Sequence, residues 1–290
     1  MKRFFGKTYC EQCGGRYDSE LPSCPNCGTK SREDAVQGYR EMTILPFARQ
    51  IALFLMGWLG FQVLALVVSQ IDFVIAMGNH PSWGETELIE FGKSIAHVGP
   101  VHFITYALLF AILSLIVWDG WKKNLRSFLQ IRSVLIGVGI FVGLLAFSMI
   151  YSIILNAILA AAGGNYEPNG NENTIQDIVA GFPLVSFLVF GLVGPVCEEL
   201  TYRVGLFSFF GRFGKVAAYL ASALVFALIH FDFGSFGDPS ALVVELYNLP
   251  SYLAAGILLS VAYHKGGFSA SVIAHVLNNV LSVLLTLGVK

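Results

Sequence analysis

From Ile44 onward the chain consists of long apolar runs separated by short polar breaks, whereas the residues before it are mostly polar. A helix rises about 1.5 Å per residue, so about 20 apolar residues suffice to cross a hydrocarbon core of roughly 30 Å. Seven such spans are predicted, at roughly 44–70, 100–119, 133–162, 179–210, 216–231, 242–264 and 267–288, the fourth longer than one crossing requires. The pattern predicts an all-α polytopic membrane protein: a bundle of about seven transmembrane helices over residues 44–290, a polar linker over 31–43 and a small N-terminal head over 1–30. Lys2, Arg3 and Lys7 are followed by no apolar core with a small-residue cleavage site, so the first span is expected to act as its own insertion signal. No internal repeat or low-complexity tract interrupts the pattern.

Composition agrees with this reading. Of 290 residues, 55% are hydrophobic and 13% charged, too little polar surface to enclose a water-soluble core of this size. A net charge of −1 with no dense basic face argues against a nucleic-acid partner and leaves the lipid bilayer as the expected surrounding. The distribution of basic residues predicts orientation, because short loops rich in lysine and arginine stay in the cytoplasm. Arg32, Arg40 and Arg49, then Lys122, Lys123, Arg126 and Arg132, then Arg203, Arg212 and Lys215, then Lys265 fall at alternate breaks. Between them lie acidic breaks with Asp72, Glu85, Glu87 and Glu90, with Glu167, Glu172 and Asp177, and with Asp232 and Asp238. The N-terminus is therefore expected in the cytoplasm and the C-terminus outside.

Against this background Glu198-Glu199-Leu200-Thr201-Tyr202-Arg203 stands out, since carboxylates inside an apolar span are costly and turn toward the protein interior or a wet cavity. Glu199 and Arg203 are four residues apart on one helix face and can pair, as a structural clasp or in support of a site. Glu198 is rotated by about 100° from Glu199, so it needs a partner on another span. His230 and His275 are available, the latter followed on the same face by Asn279. Counted from the cytoplasmic breaks, Glu198, His230 and His275 all fall about 13–22 Å deep. Two carboxylates, two imidazoles and a carboxamide can hydrolyse an amide: a glutamate accepts a proton from water, a histidine shares it, and N–H donors hold the oxyanion. The same donors can hold zinc with one position open to water, so metal-activated and metal-free hydrolysis are both open at this point. Pro195 is expected to kink the span just before the glutamates and to leave nearby carbonyls without helical donors. Cys197 and Tyr202 read as packing residues.

Glu198-Glu199-x-x-x-Arg203, Phe226-x-x-x-His230 and His275-x-x-x-Asn279, in this order on three spans, resemble the three motifs of the CPBP family, the CAAX-protease and bacteriocin-processing membrane proteins also called Abi or CAAX prenyl protease 2-like. Gly194-Pro195 and the stretch from Gly256 through Lys265-Gly266-Gly267 resemble that family as well, and the likeness covers about residues 180–285. It implies an intramembrane endopeptidase, of a family described both as metalloproteases and as acting by a metal-independent glutamate mechanism, with its catalytic groups in a helical bundle open to the cytoplasmic side. Carried over to this chain, it implies Glu198 as general base, His230 as its partner, His275 and Asn279 as oxyanion donors, and Glu199 with Arg203 as a supporting pair. The family commonly has Phe-Arg-Gly where this chain has Tyr202-Arg203-Val204, which alters packing and leaves the implied catalytic groups in place. The implied substrate is a membrane-embedded, membrane-associated or lipid-modified protein or peptide, and the implied setting a bacterial cell membrane. The alternative is a non-catalytic scaffold, a bacteriocin-immunity factor or a small-solute carrier; a carrier would show inverted repeats and paired broken spans, which this sequence lacks.

In the head, Cys10-x-x-Cys13 and Cys24-x-x-Cys27 have the spacing of two thiolate knuckles around one zinc ion. A cytoplasmic head stays reduced, which favours metal over disulfides. The expectation is a short zinc ribbon that depends on structural zinc to fold and recruits a protein substrate or partner.

Overall fold

The computed structural model describes residues 7–9, 16–18, 25 and 45–288. In the head, strands β1 (Lys7–Tyr9) and β2 (Arg16–Asp18) pair antiparallel, with Thr8 opposite Tyr17. Cys10, Cys13, Cys24 and Cys27 lie outside the described residues, and with them the metal site expected there.

The remainder is helical: α1 (Phe47–Asn79), α2 (Glu85–Lys93), α3 (Ile95–Ile116), α4 (Trp118–Asn124), α5 (Ile131–Ala161), α6 (Gly170–Gly181), α7 (Pro183–Phe213), α8 (Lys215–Leu228) and α9 (Pro239–Gly288). Among the described residues, five of these, α1, α3, α5, α7 and α9, are long and apolar enough to cross a membrane, so this is a multi-pass integral membrane protein. Their outward faces carry large apolar side chains such as Val74, Leu115 and Ile153, which suit contact with acyl chains. The count differs from the seven spans expected, for two reasons. Helix α8 has 14 residues, about 21 Å of rise, too short for a core of roughly 30 Å. Helix α9 is counted once over its whole length, but Gly267, at φ 83° and ψ −172°, divides it into two helical parts that coincide with the last two expected spans. A side chain would be strained at that positive φ, so glycine permits the break. The carbonyls of Lys265 and Gly266 just before the break accept from Arg132 (3.5 Å) and from the Ser133 hydroxyl (3.1 Å) at the start of α5.

Helix α7 is the most enclosed span, 56% of its apolar window being buried against 11% for α1. Small residues make this possible. A Cβ on Gly57 of α1 would collide with the Thr201 side chain, and one on Gly205 of α7 would come within 3.0 Å of the Phe54 backbone nitrogen. In lipid, where apolar burial drives helix association weakly, such close backbone approach supplies the packing. The two helices also widen where they meet, into π turns at Met56–Gly60 and at Leu200–Phe207. Carbonyls of the second π segment find donors on its flanks and on α8: Arg203 O accepts from the Ser208 hydroxyl (3.1 Å), and Tyr202 O from Ser222 (3.1 Å).

Helices α1 and α3 are joined by a polar contact. Asp72 Oδ2 lies 2.6 Å from His97 Nδ1, and Ser69 Oγ lies 3.0 Å from His97 Nε2. The order Ser–His–Asp is that of a hydrolase relay, but Ser69 sits within a helix whose amides bond along the helix, which leaves no local pair of N–H donors for an oxyanion. The contact is a clasp, covered by the rings of Phe73 and Phe91, whose centroids lie 4.7 and 5.0 Å from that of His97.

Candidate active site

Helix α7 reaches the site through alternating geometries: α-helical at Pro183–Leu188, π at Val189–Val193, α again at Gly194–Glu199, and π beyond. Pro195 therefore does not break the span; the π turn before it absorbs the missing amide. That turn has a consequence for the site. The Gly194 amide donates to Val189 O, and Pro195 has no N–H, so the Phe190 carbonyl has neither its α nor its π donor. Asn279 Nδ2 of α9 supplies one at 3.1 Å.

Glu199 and Arg203 are fully buried and lie 3.3 Å apart, from carboxylate Oε2 to guanidinium Nε. The guanidinium also lies over the Phe226 ring, 4.7 Å from its centroid, where the ring face attracts the cation. The other Glu199 oxygen, Oε1, lies 2.8 Å from His275 Nδ1. His275 turns its second nitrogen, Nε2, toward Glu198 Oε2 at 3.7 Å. One imidazole thus spans both glutamates, the more exposed being Glu198, whose side chain is 17% exposed.

His230 lies two residues beyond the end of α8. Its Nδ1 is 2.7 Å from the Phe226 carbonyl, which can only accept, so Nδ1 carries the proton and Nε2 is left as an acceptor. Phe226 connects the group: its ring centroid is 4.9 Å from that of His230 and 5.9 Å from that of His275, with Tyr202 at 5.7 Å. The structure therefore brings His275 against Glu198 and Glu199 directly, His230 to them through Phe226, and Asn279 to the π turn of α7. From another span, His275 Nε2 lies 3.7 Å from Glu198. Cys197 is a buried free thiol beside Glu198.

Two aromatic side chains escaped the sequence reading. Tyr106 of α3 places its phenol in the neighbourhood of Glu198, and its ring packs on Phe61 and Phe190. Tyr252 of α9 stacks on the His230 ring, centroids 4.5 Å apart and planes 15° from parallel. The one signal for Tyr106 was a hydroxylated pair, Thr105-Tyr106, in an otherwise apolar run; a lone tyrosine in a span carries none for Tyr252.

Among the described residues no three His, Cys, Asp or Glu side chains converge in a way that could hold an ion. His275 and His230 each engage Nδ1, which leaves Nε2 of each ring open, while Glu199 is engaged by Arg203 and His275.

No solved structure matches the chain. UPF0177 protein YvdC of Lactococcus lactis subsp. lactis (strain IL1403) is 25% identical over 149 residues, which are 51% of this chain and 53% of that protein, so the chain spans about half the length of the curated relative it matches. Residues 180–281, the stretch containing Glu198, Glu199, Arg203, His230, His275 and Asn279, match the family model for type II CAAX prenyl endopeptidases, Rce1-like, and over that segment the chain is similar to this family of peptidases.

Proposed function

We propose that the protein is an intramembrane endopeptidase that hydrolyses a peptide bond in a membrane-embedded, membrane-associated or lipid-modified protein or peptide, with Glu198 as the base. The observation that carries this reading is the 2.8 Å and 3.7 Å approach of one histidine, His275, to two adjacent intramembrane glutamates. Groups 76 residues apart in sequence meet inside an apolar bundle, where ionisable side chains commonly mark a functional site. The likeness to Rce1-like peptidases over residues 180–281 supports the same chemistry.

In the proposed reaction, the Glu198 carboxylate accepts a proton from a water molecule as that oxygen attacks the scissile carbonyl. The Nε2 lone pair of His230 accepts a hydrogen bond from the same water and aligns it. In its imidazolium form His275 has an N–H on each ring nitrogen, donating from Nδ1 to Glu199 and from Nε2 to the oxyanion. Asn279 gives one amide N–H to Phe190 O and has a second for the oxyanion. Collapse of the tetrahedral intermediate breaks the C–N bond, and the proton held by Glu198 passes to the leaving amine. Glu199 and Arg203 neutralise one another and hold His275 in place. In this reading the N-terminal head is cytoplasmic, binds zinc through Cys10, Cys13, Cys24 and Cys27, and presents a protein substrate or partner to the membrane domain.

Quantitative mapping of protein N-termini in membranes from cells carrying wild type or Glu198→Gln tests the proposal. Loss of a general base lowers the rate by about 10²–10⁴-fold. Termini generated by the wild type should therefore vanish with Glu198→Gln while the protein's membrane level is unchanged. Identical sets of termini from the two would refute it.

A further inference from the structure

Beyond the motif residues, the helix α9 carries a second buried carboxylate. Glu245 is in the first half of α9, 4% exposed, and accepts three hydrogen bonds from N–H groups. Asn169 Nδ2 and the Asp232 amide reach Oε2 at 3.2 Å, and the Gly170 amide reaches Oε1 at 3.3 Å. Gly170 opens α6, whose exposed amides and dipole favour an anion. Asp232 lies two residues beyond His230. The same Asn169 Nδ2 also donates to the His230 carbonyl at 3.1 Å, while Asn169 Oδ1 accepts from the Glu172 amide (2.9 Å) and the Tyr252 hydroxyl (3.3 Å). Tyr252 is seven residues after Glu245, two turns on along one face of α9, and it covers the His230 ring.

His230 needs such support. It follows the last residue of α8, Leu228, in a turn whose backbone bonds, His230 N to Ala227 O at 3.2 Å and Phe231 N to Leu228 O at 3.3 Å, are no longer those of an α-helix. The direction of its Nε2 thus depends on what holds residues 230–232 from outside.

We propose that Glu245 is a positioning residue for His230: through Asn169 and the Asp232 amide it anchors the turn that bears the imidazole, and through the same Asn169 it sets the Tyr252 ring against it. The functional meaning of this anchor rests on the peptidase reading above. Glu245 touches no reacting atom. Its loss acts on turnover rather than on binding, because a misplaced catalytic group lowers kcat by about 10²-fold per ångström of displacement.

Two variants separate the anchor from general stability. Glu245→Gln keeps the shape and replaces one acceptor by a donor facing N–H groups. Asn169→Ser keeps a capping hydroxyl for α6 but is too short to reach the His230 carbonyl. The full chain in detergent micelles is treated with diethylpyrocarbonate, and modification of each histidine is followed by mass spectrometry. His230 modification should accelerate about tenfold in both variants, as the loss of a charge-assisted hydrogen bond implies. His102 of α3, held by its own bond to Val98 O at 2.8 Å, should not change. On the cleavage event identified by the Glu198→Gln comparison, kcat should fall with KM within about twofold. Unchanged His230 labelling in both variants would overturn the proposal, as would a parallel rise at His102, which would mean general loosening. Wild type without Glu198-dependent cleavage would instead sink the peptidase reading and leave the labelling result standing.

Discussion

Replacing Arg203 by methionine removes the cation from a pair with no exposure to solvent. At 3.3 Å and an effective dielectric of about 20, the attraction between Arg203 and Glu199 amounts to about 5 kcal/mol before desolvation is subtracted. The guanidinium over Phe226 at 4.7 Å contributes about 2 kcal/mol more where water is excluded. Burying both ions offsets much of this, yet removing one partner strands the other, at a cost of about 3–5 kcal/mol. Arg203→Met should therefore destabilise by about that amount, whereas Glu199→Gln/Arg203→Met, which removes both charges and keeps an acceptor for His275 Nδ1, should lie within about 2 kcal/mol of wild type. Arg203→Lys should fall between, since an ammonium keeps the charge but not the planar stack on Phe226. The assay is unfolding by sodium dodecyl sulfate of protein held in mixed micelles, with helicity followed by far-ultraviolet circular dichroism. An Arg203→Met variant within about 1 kcal/mol of wild type, or a double variant no better than the single, would refute the electrostatic account.

The π turn makes a rescue prediction. Asn279→Ala leaves the Phe190 carbonyl without a donor and should cost about 1–3 kcal/mol; Pro195→Ala in that background restores an N–H nearby and should recover about 1 kcal/mol in the same unfolding assay. In the head, the full chain purified under reducing conditions should carry one zinc ion, by elemental mass spectrometry, and Cys10→Ser/Cys24→Ser should carry none; a metal-free wild type would end the ribbon reading.

The class of molecule was legible in the chain's apolar runs, because a segment such as Ile131–Ala161 has no physical solution but helix in lipid. The sequence also marked which residues would be anomalous there: Glu198, Glu199, Arg203, His230 and His275 stand out by the cost of placing them in a bilayer, before any contact is known. Local sequence could carry the Glu199–Arg203 pair, since both lie on one helix four residues apart. It could not carry the shortness of α8, which the apolar run around it did not reveal. Nor could it say that His275 would bridge Glu198 and Glu199, that Asn279 would answer a carbonyl orphaned by Pro195, or that Tyr106 would lie near Glu198. Those relations depend on how α3, α7, α8 and α9 rotate and approach one another. That is settled by steric fit at residues such as Gly57 and Gly205 and by which buried polar groups can reach partners on other helices, both of which are properties of the packed bundle rather than of any one span.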